Sequence, residues 1–237
     1  MKTALILKNI SHEGAGEYQK ILLNSGFQCV ETDLSNGENI PQVSFDLIMV
    51  MGGPASANDN SPQILNELAF LQQQMQRQTP IFGVCLGLQL AVKAAGGKVE
   101  RSPVPEIGFQ DPDGSLFSIE KTGKDHRLVE QWESSIPVFQ LHGETVDLTD
   151  SMHLLASGKH CLNQLVLVNN FTVGIQSHIE INREMLIEWH SKDRELGKIP
   201  LDFLLKDFAK VSLSMQKNAS SLLVNFLEMT KLEPTRS

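Results

Sequence analysis

Positive charge is scarce in this chain: 20 Lys and Arg stand against 28 Asp and Glu, a formal net charge of −8 over 237 residues. That sign is wrong for a phosphate-binding surface, so nucleic acid is not expected as a partner. Cysteine is scarce too. Cys29, Cys85 and Cys161 are odd in number, widely spaced and form no C-x-x-C pair, which argues against a disulfide framework or a structural zinc site. No apolar run reaches the roughly 18 residues of a membrane span, and Thr3 to Leu7 is too short for the core of a signal peptide. Internal repeats, low-complexity tracts and a G-x-x-x-x-G-K-[ST] phosphate loop are all lacking. The expectation is a reduced, cytoplasmic, soluble protein with no membrane partner.

What is present is a run of short apolar segments separated by helical patterns. Thr3 to Lys8, Phe27 to Leu34, Phe45 to Met51 and Pro80 to Val84 read as strands. Several lack polar alternation, as strands covered on both faces do. Between them, Ser61-Pro62 opens a helix with Ile64, Leu65, Leu68, Leu71 and Met75 on one stripe. Leu86 to Ala95 reads as the next helix, closed by Gly96-Gly97. This alternation predicts an α/β domain with an open, mainly parallel sheet and helices on both faces. Lys98 to Ser157 is less regular and reads as short strands and loops. Leu162 to Val168 and Phe171 to Gln176 read as a hairpin turning at Asn169-Asn170. From Asn182 onward the pattern is helical, with a break at Gly197 to Pro200.

The sharpest local signal is Gly83-Val84-Cys85-Leu86-Gly87, a cysteine between two glycines where a strand gives way to a helix. The spacing has the mechanics of a nucleophile elbow: a tight turn projects the central side chain at the carboxyl edge of the sheet. The helix start beneath it favours a thiolate and offers N–H groups to an oxyanion. A buried packing cysteine at a strand–helix junction is the plainer reading, and it is the one given to Cys29 and Cys161. A cysteine nucleophile needs a base and a residue to orient it. Of seven histidines, His142 and His178 follow apolar runs, and Glu180 lies two residues beyond His178, on the same side of an extended segment. Gly52-Gly53-Pro54 ends a strand at the same sheet edge, where glycine lets a backbone N–H approach a substrate.

Five pieces in order resemble a class I glutamine amidotransferase of the triad type, and among its members the amidotransferase domain of GMP synthase and free-standing relatives. They are Met51-Gly52-Gly53-Pro54, the segment Gly83 to Gln89, Gly96-Gly97-Lys98-Val99 with Glu106-Ile107-Gly108, Leu141-His142-Gly143-Glu144, and Gln176-Ser177-His178-Ile179-Glu180. The resemblance implies a flavodoxin-like sheet with a small antiparallel part. It implies a catalytic domain over residues 1–181 and a C-terminal helical extension, 182–237, packed on it. It also implies Cys85 as nucleophile, His178 as acid/base and Glu180 as its orienter, with the N–H groups of Gly53 and Leu86 as oxyanion hole. Gln89, Leu141, His142 and Gly143 would hold the substrate. Ser177 and Ile179 stand where the family commonly has an aromatic residue and a proline, and Ala55 where a glycine is frequent.

The implied chemistry is hydrolysis of a γ-carboxamide through a γ-glutamyl thioester, releasing glutamate and ammonia, with no metal and no organic cofactor. The substrate is glutamine or another γ-glutamyl amide. Without an ATP-binding loop of its own, the chain would pass ammonia to a separate synthetase subunit, or act as a γ-glutamyl hydrolase or peptidase. A non-catalytic regulatory protein on the same fold is the third reading. In the tail, Met185, Leu186 and Trp189 share a face. Leu201, Leu204, Leu205 and Phe208 form a second, prolonged by Val211, Leu213 and Met215, and Leu222, Leu223, Phe226 and Leu227 form a third. These faces are expected to pack on the chain's own domain, with a homodimer or partner-docking surface as the alternative.

Overall fold

Segments without polar alternation become the middle of a sheet in the computed structural model, which describes residues 2–123 and 126–232. The first part of the chain alternates β1 (Lys2–Lys8), α1 (Gly16–Asn24), β2 (Phe27–Asp33), β3 (Leu47–Val50), α2 (Pro62–Gln76), β4 (Ile81–Val84) and α3 (Leu86–Ala94). The middle supplies β5 (Lys98–Gly108), β6 (Ser118–Lys121), β7 (Ser135–Pro137), β8 (Gln140–Asp147) and β9 (His153–Gly158). The hairpin of β10 (Leu165–Asn169) and β11 (Thr172–Ile175) follows, then α4 (Arg183–Lys192) and α5 (Leu201–Met229).

Nine strands form one sheet in the order β2-β1-β3-β4-β11-β10-β9-β6-β7. The five from β2 to β11 are parallel, and the outer ones are antiparallel. β5 and β8 pair as a separate antiparallel ribbon. The order of the first four strands is that of doubly wound folds, which bind ligands outside the carboxyl ends of the strands. Because β1, β3, β4 and β11 run the same way, the segments that follow them emerge at one edge: Asn9 to Gly16, Gly52 to Ser56, Cys85 and Gln176 to Glu180.

Each central strand divides its side chains between two cores, as the two-residue period requires. Ala4, Ile6, Met49, Phe82, Val173 and Ile175 face one side with Tyr18, Leu22, Leu186, Trp189 and Phe226. Leu5, Leu7, Ile48, Val50 and Ile81 face the other with Ile64, Leu71, Leu88 and Ala91. Thus α1, α4 and α5 cover one face, while α2 and α3 cover the other. Ser61 caps α2 by accepting from the Ile64 N–H at 3.3 Å, with Pro62 in the first turn. Asn182 caps α4 through the Met185 N–H at 2.9 Å.

The second and third apolar faces expected in the tail are one continuous helix of 29 residues. Leu204, Phe208, Val211, Met215, Ala219, Leu222 and Phe226 keep one phase and are buried. Leu213 departs from the expectation: it lies off that stripe and is 81% exposed. Polar anchors complete the seam. Trp132 Nε1 donates to the Asn218 carbonyl at 3.1 Å, and Asn225 Nδ2 donates to the Arg127 carbonyl at 2.9 Å. No described helix is long and apolar enough to cross a membrane.

Candidate active site

The turn from β4 into α3 holds Cys85 at φ +53°, ψ −109°. A non-glycine residue at positive φ is held there only when its surroundings over-determine it. Here the Cys85 N–H donates to the Ile175 carbonyl at 2.8 Å, and the Cys85 carbonyl accepts from Gln89 N at 3.2 Å. The flanking glycines let the turn close: a Cβ at Gly87 would lie 2.0 Å from the Val50 carbonyl oxygen. The N–H of Leu86, first residue of α3, and that of Gly53 find no acceptor among the described residues, as expected for donors at a helix start and a loop. The Cys85 sulfur receives the Gln176 Nε2 at 3.5 Å and approaches the Leu141 carbonyl at 3.9 Å.

His178 arrives from the loop after β11, its N–H bonded to the Phe139 carbonyl at 2.8 Å. Its ring stands beside Cys85: a Cβ placed at Gly52 would lie 3.1 Å from His178 Cε1 and 3.5 Å from Cys85 Cβ. Nδ1 lies 2.7 Å from Glu180 Oε1, and both side chains are buried. Burial alone would lower the imidazole pKa, but the Glu180 carboxylate and Cys85 beside it hold it well above the ordinary value. Trp189 of α4 stands edge-on against the ring, centroids 4.9 Å apart, and Phe139 flanks it at 6.3 Å. The turn aims Glu180 without the family's proline: the Glu180 carbonyl accepts from the Glu17 N–H at 2.9 Å.

A cavity of about 350 Å³ opens at Cys85, lined by the segment Gly53 to Ser56, Gln89, Arg101 and the segment Leu141 to Glu144. The structure thus brings together Cys85, His178 and Glu180, and sets Gly53, Gln89, Leu141, His142 and Gly143 around the same hollow. Gln89 Nε2 donates to the Glu144 carbonyl at 3.3 Å and to Gln176 Oε1 at 3.2 Å. A larger hollow of about 480 Å³ between the β2–β3 connection and α2 contains no cysteine, histidine or lysine.

Sequence reasoning passed over several neighbours. Glu13, in the loop after β1, is buried and points its Oε2 at Gly52, where a Cβ would lie 2.3 Å from it and 3.1 Å from His178 Cε1. Burial pushes its pKa up to about 7, against the opposing pull of His178. The signal was its place directly after a parallel strand. Gln176, Ser56, Arg101 and Glu144 were likewise unassigned roles. Glu106, His142 and Cys161 converge with ligating atoms within 4.8 Å of one another, the described group that could hold a metal. Protein partners already engage them: His142 Nε2 lies 3.0 Å from Glu106 Oε2, and Cys161 Sγ lies 3.2 Å from Thr145 Oγ1. Burial pushes the Cys161 thiol up to about 11, which disfavours the thiolate a metal needs.

A strained cysteine at the carboxyl edge of a doubly wound sheet, backed by a buried histidine, defines a class: α/β enzymes with a cysteine nucleophile. Residues 11–184 match the family model for glutamine amidotransferase class-I, and the chain belongs to that family. A glutamine amidotransferase-like protein, YfeJ, of Salmonella typhimurium is 30% identical over 181 residues, 73% of this chain and 74% of that one. A γ-glutamyl-L-1-hydroxyisopropylamide hydrolase of a Pseudomonas species is 32% identical over 107 residues, 45% of this chain and 36% of its own length. The crystal structure of a glutamine amidotransferase from Thermotoga maritima shares the fold with a TM-score of 0.84. It is 24% identical, and the match covers 97% of this chain and 98% of that one.

Proposed function

We propose that the chain hydrolyses the γ-carboxamide of glutamine or a related γ-glutamyl amide. The Cys85 sulfur, its proton already held on His178 at Nε2, the ring nitrogen turned away from Glu180, attacks the carboxamide carbon as a thiolate. The tetrahedral oxyanion is held by the N–H groups of Gly53 and Leu86, each such donor worth about 3–4 kcal/mol in comparable sites. His178 then gives its proton to the leaving nitrogen, the C–N bond breaks, and ammonia departs from a γ-glutamyl thioester. Water, giving a proton to His178, attacks the thioester, and glutamate leaves with the thiol restored. Glu180 orients the ring throughout. Gln89 and the Leu141–Gly143 stretch hold the amide in the cavity.

The observation that carries this reading is the contact of His178 with Glu180 at 2.7 Å, on a ring that crowds the same glycine, Gly52, as Cys85 does. A thiol nucleophile needs reducing surroundings, which is the ground for proposing a cytoplasmic location, and the three cysteines are free. Ammonia made here goes to a separate synthetase subunit or to solvent. Resemblance to the Pseudomonas protein, named as a γ-glutamyl amide hydrolase, favours the second course. The domain division follows the same reading, with 1–181 carrying the chemistry and 182–237 backing it. A second copy of the chain is a further candidate partner, which light scattering would detect. The test is release of glutamate and ammonia from glutamine beside a panel of γ-glutamyl alkylamides. Turnover lost in Cys85→Ala supports the proposal; equal turnover in that variant, or none in the wild type, contradicts it.

A further inference from the structure

Asn9, the residue after β1, is a buried amide packed against the loop that carries the Gly53 N–H. Every hydrogen-bonding direction of its side chain is used. Oδ1 accepts from Gln63 Nε2 at 3.0 Å, while Nδ2 donates to the Met51 carbonyl and to Glu67 Oε1, each at 3.2 Å. A backbone carbonyl can only accept, so the Met51 contact fixes which end of the amide faces the loop. Gln63 and Glu67 are one turn apart on α2, and Met51 is the residue after β3. Asn9 therefore ties the end of β3 to that helix. Glu67 is fully buried, its Oε2 has no partner among the described residues, and Oε1 takes the bond from Asn9.

Packing completes the hold. A Cβ at Gly53 would lie 2.7 Å from Asn9 Cβ and 3.3 Å from the Asn9 carbonyl carbon, so the α-carbon of Gly53 rests on Asn9. The Gly53 N–H itself finds no acceptor among the described residues and stays available. Asn9 does not line the cavity at Cys85, so its influence on the chemistry runs through the loop.

We propose that Asn9 is a positioning residue for the oxyanion loop, holding the Met51 carbonyl and the Gly53 α-carbon so that the Gly53 N–H keeps its aim at the tetrahedral oxygen. The inference rests on the amide-hydrolysis reading. Donors of this kind act at about 2.7–3.1 Å from the developing charge, and a misplacement of about 1 Å costs on the order of a hundredfold in rate. An amide that grips the loop from behind sets kcat while touching neither substrate nor nucleophile.

The experiment compares the wild type with Asn9→Leu and Gln63→Leu in two reactions of one sulfur. Asn9→Leu keeps the bulk against Gly53 and loses all three hydrogen bonds. Gln63→Leu, at a half-buried position, leaves Asn9 its two acceptors and removes its donor. Glutamine hydrolysis uses the oxyanion donors. Alkylation of Cys85 by iodoacetamide, in which a C–S bond forms as iodide leaves a saturated carbon, uses the thiolate alone. Asn9→Leu is expected to lower kcat for glutamine about ten- to a hundredfold with KM within about threefold, and Gln63→Leu to lower it about threefold. Cys85 alkylation, followed by peptide mapping, should stay within about twofold in both. Amide hydrogen exchange over 50–56, read by mass spectrometry, should quicken about tenfold in Asn9→Leu whatever the turnover.

Unchanged kcat or unchanged exchange in Asn9→Leu overturns the proposal. So do parallel losses of kcat and alkylation, which would mark general damage to the elbow. Should Asn9→Leu fail to fold, Gln63→Leu decides, and a kcat equal to the wild type there overturns the proposal as well. A wild type that is alkylated yet releases no ammonia contradicts the hydrolysis reading instead, while the exchange comparison still tests the hold on the loop.

Discussion

His178 Nδ1 and Glu180 Oε1 lie 2.7 Å apart, two positions apart in the chain and both sealed from solvent. Glu180 Oε2 has no hydrogen-bond partner among the described residues, so the contact with His178 is the hydrogen bond this buried side chain makes. Replacing it by the neutral isostere, Glu180→Gln, removes the charge that holds the imidazole upright and leaves the volume unchanged. The expected outcome is a loss of roughly a thousandfold to ten-thousandfold in kcat with a small change in KM. Steady-state glutaminase assays beside a thermal melt would read it, and a variant within tenfold of the wild type would deny Glu180 its orienting role.

The close crossing of α3 over β3 depends on position 87. A Cβ there would sit 2.0 Å from a backbone oxygen, which no side-chain adjustment relieves. Gly87→Ala should therefore destabilise the protein by about 2–3 kcal/mol, as overpacking does. Urea unfolding with an unchanged m-value checks this.

Two buried carboxyls shape the pH dependence of stability. Burial raises both Glu13 and Glu67 from an ordinary 4.5 to about 7, although Asn9 donates a hydrogen bond to Glu67. The folded state thus binds more protons than the unfolded chain between those values. Their contribution is complete below about pH 4.5, is lost as pH rises toward 7, and stays lost above it. Each shift corresponds to stability on the order of 3 kcal/mol. The difference in unfolding free energy between wild type and a Glu13→Gln, Glu67→Gln double variant, followed from pH 5 to 8, should move in the variant's favour as pH rises. A flat difference would contradict the burial argument.

The tail reaches into the site through one side chain. Trp189 packs edge-on against His178, and its Nε1 donates to the His12 carbonyl at 3.0 Å, tying α4 to the loop after β1. Trp189→Ala should cost about 3–5 kcal/mol by leaving a cavity. It should also lower kcat more than KM, because the ring it backs is freed. Equal losses in a surface variant of matched stability would assign the effect to stability alone.

The four central strands and the elbow were legible because their signals are local. Leu47 to Val50 and Ile81 to Val84 have no polar residue, and a cysteine between glycines at a strand end has few other uses. Cys85, His178 and Glu180 could be named because each stands after a strand of the same parallel sheet. Glu13 stands after one as well, yet its setting in the glycine-rich loop Ser11 to Gly16 made it look like an ordinary loop residue. Arg101 escaped because its place at the cavity rim arises from register across β5 and β8, which a single strand does not encode. The continuity of α5 was available in the absence of glycine and proline from 201–229. The mostly polar run Gln216 to Ser221 divided the stripe on reading, although the Asn218 carbonyl and the Asn225 side chain bond neighbouring segments and keep the helix seated.

Covalent capture tests the central claim most directly. Incubating the folded protein with a glutamine-like α-diazo ketone and weighing it intact should show one adduct per chain. Peptide mapping should place the adduct on Cys85, with excess L-glutamine slowing its formation and His178→Ala abolishing it. An unmodified Cys85 in the folded chain, or labelling that falls instead on Cys29 or Cys161, would contradict the account.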